Sequence, residues 1–159
     1  MGNVRDPRAV ESAVDGQDAI FWTIGARARE STAHLCSEGA KNVLWAMGRS
    51  GVKRLVCESA LGVGDSRGSG PFTTFLRVIR RTEILDKEWQ ENRIRASSID
   101  WVIVRPTILT NGPATGTYRV GTVLSVGWVP HVSRADVADF MLRQLDDVTY
   151  LRRTVGITG

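Results

Sequence analysis

Histidine and cysteine are scarce in this chain. Its 159 residues hold two of each: His34, His131, Cys36 and Cys57. Neither cysteine has a Cys or His at metal-ligand spacing, so no metal site is expected, and two thiols make no disulfide framework. Both are expected to be reduced, buried apolar fillers, which suits a cytoplasmic protein. No run approaches the roughly 18 apolar residues that a bilayer-spanning helix needs. The opening M-G-N-V-R-D-P has no apolar core of a signal peptide, and Arg5 and Asp6 fit a myristoylation site poorly. G-x-S-x-G does not occur, and no histidine base is placed for Ser59, so a serine-hydrolase triad is not expected. Glycine-lysine-serine or threonine is missing too, which excludes a phosphate-binding P-loop. No basic cluster stands out either. The net charge of +4 comes from scattered arginines. That pattern predicts a solvated surface and no nucleic-acid partner, with at most a modest field that attracts anions.

What is present is apolar patterning. Hydrophobic residues make up 42% of the chain, enough for the core of one domain. Asp6-Pro7 predicts a capped helix start, with Val10 and Val14 on one face and Gly16 as its stop. D-A-I-F-W-T-I-G, 18–25, reads as a buried strand. Ser31 or Thr32 is expected to cap a long helix whose Cys36, Ala40, Val43 and Met47 form one stripe, ended by Gly51. V-K-R-L-V-C predicts a second strand, with Ser59 just beyond its carboxyl end. Pro71 opens helical patterning with Phe72, Phe75, Leu76 and Ile79 on one face, continuing with a break to about residue 97. W-V-I-V-R-P is a third apolar strand, stopped by Pro106. Residues 107–132 read as irregular apart from a short strand near Tyr118–Val120. Ser133 and Asp136 form a capping box before a helix with Val137, Phe140, Met141 and Leu145 on its core face. Val155–Ile157 suggests a last strand.

Strands that are apolar throughout need cover on both faces. Alternating with helices, they predict an α/β fold, a parallel sheet between two helical layers. Ligands of such sheets bind at the carboxyl ends of the strands. Those ends are Thr23-Ile24-Gly25, Ser59-Ala60-Leu61 and Arg105-Pro106-Thr107.

The stretch L-G-V-G-D-S-R-G-S-G, 61–70, raises the question of a dinucleotide loop. Gly62, Gly64 and Gly68 give G-x-G-x-x-x-G, with the third glycine one residue late and Arg67 in its place. No acidic residue closes a second strand about 20 residues on, since Glu83 falls in a helix. The loop is better read as a rim of the strand-end site or as a connection. Ser59 either hydrogen-bonds a ligand or satisfies nearby backbone. Asp136 and Asp139 read as helix-start charges.

S-E-G-A-K-N-V-L-W-A-M-G-R-S-G-V-K-R-L-V followed by Ser59 resembles the NAD(P)H-binding, atypical short-chain dehydrogenase/reductase group, which includes NmrA-like proteins and the flavin reductase/biliverdin reductase B type. W-V-I-V-R-P-T-I-L-T-N-G-P-A-T-G-T-Y-R-V, V-S-R-A-D-V-A-D-F-M-L-R-Q-L and the opening G-N-V-R-D-P resemble further blocks of that group. The resemblance implies a Rossmann-like three-layer fold in one domain over 1–159. It also implies that the chain starts after the group's first βαβ unit, where the G-x-x-G-x-x-G motif belongs. Dinucleotide binding is then expected to be weak, and strand 18–25 to be an open edge prone to self-association.

By the same resemblance Asn3 and Val4 match an adenine-contact pair, with Asn3 in place of the usual Asp. Thr23, Ile24 and Gly25 match the strand end along the cofactor. Ser59 and Ala60 match the nicotinamide side, and Arg105, Pro106 and Thr107 the substrate side. Lys87 falls near the lysine of Tyr-x-x-x-Lys, while Glu83 stands where the tyrosine would be; without that tyrosine, Lys87 reads first as a surface lysine. The implied activity is reduction of a flavin, quinone or other planar acceptor by NADPH or NADH, with Ser59 and Lys87 as candidate catalytic residues. The alternatives are a non-catalytic NmrA-like dinucleotide sensor or partner-binding protein, and an inactive fragment.

Overall fold

The computed structural model describes residues 2–25, 34–68, 74 and 78–159. The order of elements is α1 (Pro7–Val14), β1 (Ala19–Trp22), α2 (Leu35–Ser50), β2 (Arg54–Glu58), a short 3-10 turn (Gly64–Gly68), α3 (Arg81–Arg95), β3 (Asp100–Pro106), β4 (Ile108–Thr110), β5 (Arg119–Gly121), β6 (His131–Ser133), α4 (Arg134–Arg143) and β7 (Arg153–Thr158).

The main sheet has five strands in the order β1-β2-β3-β7-β5. Pairs β1·β2, β2·β3 and β3·β7 are parallel. The outermost strand β5 runs antiparallel to β7, which corrects the expectation of a purely parallel sheet. It arises because β5 returns from an excursion that also builds β4 and β6, a small parallel pair within the segment read as irregular. Three-residue strands are too short to leave a period in the sequence.

Period-two alternation splits the strands between two cores. Trp22, Leu55, Cys57, Trp101 and Ile103 pack with α1, α2 and α3 residues such as Val10, Met47 and Ile94. Val56, Val102, Val104, Val155 and Ile157 pack on Val137, Phe140 and Met141 of α4. The fold is therefore an α/β, Rossmann-like three-layer arrangement. β1 lies at one edge and pairs only with β2 among the described residues.

Local chemistry matches most of the expected boundaries. Asp6 caps α1 by accepting from the Arg8 amide at 3.0 Å. Ser133 caps α4 at the Asp136 amide, 2.9 Å, and its hydroxyl donates to the Asp136 carboxylate, 2.8 Å. Leu145 differs from expectation: it lies past α4 and is 38% exposed. Ser31, Thr32 and the apolar residues Phe72, Phe75 and Leu76 lie outside the described residues. α2 itself begins at Leu35 with no side-chain cap of its own. Its first amides are satisfied from α3, where the buried Asp86 carboxylate accepts from Cys36 N (2.8 Å) and Ser37 N (2.9 Å). α2 sits close on β1. A Cβ at Gly39 would fall 2.5 Å from the Trp22 ring, so only glycine fits there. Among the described residues no helix is long and apolar enough to cross a membrane.

Candidate functional site

The parallel register places the carboxyl ends of β1, β2 and β3 side by side, with Trp22 opposite Cys57 and Glu58 opposite Val104. Backbone pairing continues past the strands, as Ser59 N donates to Val104 O (2.7 Å) and Leu61 N to Pro106 O (3.0 Å). Two polar groups stand at this end, one on each side of the sheet.

On the α3 side, Lys87 is half-buried and is not a surface lysine. Its Nζ donates to the carbonyls of Ile24 (3.4 Å) and Glu58 (3.2 Å), bridging the ends of β1 and β2. Gly25 beside it is exposed, and a Cβ there would meet nothing within 4 Å; Thr23, also exposed, lies on the α4 side of β1. Glu83, one turn before Lys87, pairs with Arg80 at 3.1 Å. Gln90, one turn after Asp86, is fully buried; it accepts from Trp22 Nε1 (2.9 Å) and donates to Cys57 Sγ (2.9 Å). Burial pushes the Cys57 thiol far up, so it stays neutral.

Deeper in the same layer lies a buried ionic cluster. Ser59 is 3% exposed, and its hydroxyl donates to Glu91 Oε1 at 2.6 Å. Arg105, 4% exposed, grips the same carboxylate with two bonds, Nε to Oε1 (2.9 Å) and Nη2 to Oε2 (2.6 Å). Its remaining nitrogen reaches Asp65 Oδ1 at 2.5 Å, which ties down the turn at Gly64–Gly68. Arg95 joins Glu91 to Thr154, at 3.0 and 3.1 Å. Burial would lower the Arg105 pKa, but Glu91 and Asp65 outweigh it and raise it. Burial would raise the Asp65 carboxyl, but its bond to Arg105, the charges of Arg105 and Arg95 and a backbone amide together outweigh this and hold it below the usual carboxylate range.

The expected site residues are thus divided. Thr23, Ile24, Gly25 and Lys87 come together at the open ends of β1 and β2. Ser59, Arg105 and Thr107 stand at neighbouring strand ends, but their side chains are turned inward. Thr107 Oγ1 donates to Thr158 Oγ1 (3.3 Å), and Pro106 is buried. Ala60 is half-buried between Ser59 and the turn. Asn3 is used locally: its side chain accepts from Arg5 N at 3.0 Å. Val4 packs near Gly39 and the Trp22 ring, and its carbonyl accepts from Asn42 at 3.0 Å.

On the α4 side, a pocket of about 320 Å³ opens beside β1 and β2. Phe21, Thr23, Glu58, Leu109, Val137 and Met141 are among its walls, with Arg134 at its edge. Sequence reasoning overlooked Glu58 and Glu91. A signal for Glu91 exists: Ile84, Lys87, Glu91 and Ile94 recur at helical spacing, so polar groups fill what should be an apolar stripe.

Comparison with known proteins agrees with this fold. The family described as NAD(P)H-binding matches residues 1–148. The Bacillus subtilis (strain 168) protein named "uncharacterized sugar epimerase YhfK" is 26% identical over 155 residues, 96% of this chain and 68% of that protein. Among solved structures, ChuY, an anaerobillin reductase of Escherichia coli O157:H7, superposes with a TM-score of 0.82 at 21% identity, covering 98% of this chain and 72% of its own. A wide-type short-chain dehydrogenase/reductase of Veillonella parvula DSM 2008 in complex with NADP gives a TM-score of 0.78 at 21% identity, covering 99% and 70%.

Proposed function

Because this chain belongs to the NAD(P)H-binding family, we propose that it is a reductase using NADPH or NADH to reduce a planar acceptor such as a flavin or a quinone. The observation that carries this reading is Lys87 Nζ set against the carbonyls of Ile24 and Glu58 at two adjacent parallel strand ends. A cation there is buttressed by backbone, keeps a donor direction free, and can hold hydroxyls of a bound ribose. The uncrowded Gly25 backbone beside it leaves room for the nicotinamide half of a dinucleotide, with the exposed Thr23 at the same strand end on the α4 side. The dinucleotide, when bound, supplies the hydride. The chain's own residues supply position. The cluster of Ser59, Glu91, Arg105 and Asp65 stiffens the floor and the turn beside it. In this reading Ser59 is a positioning residue, and Arg105 acts on the substrate side through the backbone it orders.

A second reading is dinucleotide sensing without turnover. It is favoured by Glu83, which is engaged with Arg80 where a tyrosine acid would be expected. Fluorescence titration with NADPH separates the two. Binding in the micromolar range with hydride transfer to a flavin supports the reductase. Binding without transfer supports the sensor, and failure to bind either dinucleotide rejects both. Self-association through the open β1 edge is part of the same proposal, and sedimentation measures it. A cytoplasmic location is expected for such a reductase.

A further inference from the structure

The segment after β4 carries the only Asn-Gly pair of the chain, Asn111-Gly112. Asn3, Asn42 and Asn92 are followed by Val4, Val43 and Arg93, whose side chains crowd the amide that precedes them. Both residues of the Asn-Gly pair are exposed, and a Cβ at Gly112 would meet nothing nearer than Thr110 Oγ1 at 3.8 Å. Among the described residues the Gly112 amide donates to no backbone carbonyl, so it stands open to solvent.

The fold sets a cation against this asparagine. β4 and β6 run parallel with Thr110 opposite Ser133, and one residue further on Asn111 and Arg134 come side by side. Ser133 caps α4 at the Asp136 amide, which fixes the helix start that carries Arg134. Arg134 Nη1 donates to Asn111 Oδ1 at 2.7 Å. A guanidinium has donors only, so the oxygen of the amide must face it and the nitrogen is left to water. Among the described residues Arg134 has no carboxylate partner.

We propose that Asn111 is a deamidation site, converted through a cyclic imide with Gly112 and promoted by Arg134. The Gly112 nitrogen attacks Asn111 Cγ and gives up its proton to water. Negative charge collects on Oδ1, where the guanidinium already sits. The Cγ–Nδ2 bond then breaks, and the nitrogen takes a proton from water and leaves as ammonia. Water opens the imide at either carbonyl and leaves aspartate or isoaspartate at position 111. No electrons are transferred, and water is the sole co-reactant. The product supplies the acid partner that Arg134 lacks. It places that charge at the edge of the α4-side pocket and before the first turn of α4, where the helix dipole favours an anion. The reaction needs no dinucleotide, so it stands apart from the reductase reading.

Peptide mapping by mass spectrometry, on the whole chain held folded at pH 8, reads the gain of one mass unit per converted asparagine. Conversion is expected at Asn111 and not at Asn3, Asn42 or Asn92. Gly112→Ala should slow it several-fold by crowding the attacking nitrogen. Arg134→Ala should slow it about tenfold, the worth of one hydrogen bond to a charged group. Arg134→Gln, a neutral donor, should fall between, and it decides the point if the alanine variant unfolds. In urea strong enough to unfold the chain, wild type and the Arg134 variants should convert at equal rates, because the contact is gone. No mass gain at Asn111 in the folded chain overturns the proposal. So does a folded-state rate in the Arg134 variants equal to or above wild type, since the guanidinium would then restrain the amide instead of activating it. Unequal rates in urea would place the effect in the local sequence and overturn the role of the contact.

Discussion

Glu91 on α3 and Arg105 on β3 are joined by two parallel bonds, of 2.9 and 2.6 Å, with both side chains out of contact with solvent. Neither charge is tolerable there alone. Desolvation of a lone ion exceeds what a replacement with no partner recovers. Glu91→Ala should therefore cost about 3–5 kcal/mol in urea unfolding, since it leaves the buried Arg105 with only the exposed Asp65 as acid partner and the Ser59 hydroxyl unpaired. Glu91→Gln should cost less, because its one carbonyl oxygen still accepts from the Ser59 hydroxyl and Arg105 Nε, while its amide nitrogen loses the bonds from Arg105 Nη2 and Arg95. A loss under about 1 kcal/mol for Glu91→Ala would show that the cluster contributes little.

The turn that follows β2 depends on the same arginine. Gly64 has φ +57°, and a Cβ there would fall 2.7 Å from Arg105 Nη2. Both the backbone and the contact disfavour any side chain. Gly64→Ala is expected to destabilise the chain by about 1–3 kcal/mol. It should also raise hydrogen-exchange rates at Ser66, whose amide donates to Val63 O at 3.2 Å. Exchange unchanged from wild type would mean that Arg105 yields without disturbing the turn.

These two sites show where reading the sequence succeeds and where it stops. The main strands and long helices were legible because each buries a run or stripe of apolar residues over several turns. Asp6 and Ser133 were legible as caps because capping is a local act, made within a few residues. Asp86 was not, since it caps α2 from 50 residues away and no local rule reaches that far. Lys87 was singled out through a spacing shared with a family, but its half-buried setting depends on the ends of two other strands. Ser59 was legible as a strand-end residue. The direction of its hydroxyl was not, because Glu91 comes from a different element. β4 and β6 left no trace because three residues make less than two alternations.

Lys87 offers a test of the dinucleotide reading that does not need turnover. Its ammonium touches two carbonyls at partly open strand ends, so its removal should disturb binding more than folding. Lys87→Met should weaken NADPH binding about tenfold or more while shifting the unfolding midpoint little, since the methionine keeps the apolar stem. Lys87→Arg should restore part of the affinity. Equal NADPH affinity in wild type and Lys87→Met would remove Lys87 from the site.

Asp136 and Glu58 should respond to pH in opposite senses. Burial would raise the Asp136 carboxyl, but the Ser133 hydroxyl and the amides of Gly116 and Thr115 donate to it and hold it below its ordinary value. A depressed carboxylate contributes stability that is present above its unfolded pKa of about 3.9 and is lost as pH falls through the folded value. Asp136→Asn should therefore be less stable than wild type at neutral pH, with the gap closing as acid is added. Glu58 is raised by burial, so its contribution is fully present below an unfolded value of about 4.3 and declines as pH rises through the folded value. Glu58→Gln should then gain on the wild type as pH rises, and stop gaining once Glu58 is fully ionised. Chemical denaturation of the three proteins from pH 3 to pH 8 gives both slopes. Parallel stability curves for wild type and Glu58→Gln would show that the carboxyl is hydrated in the folded chain, and an acid-independent deficit in Asp136→Asn would show that its amide partners, not its charge, hold the 115–117 turn to α4.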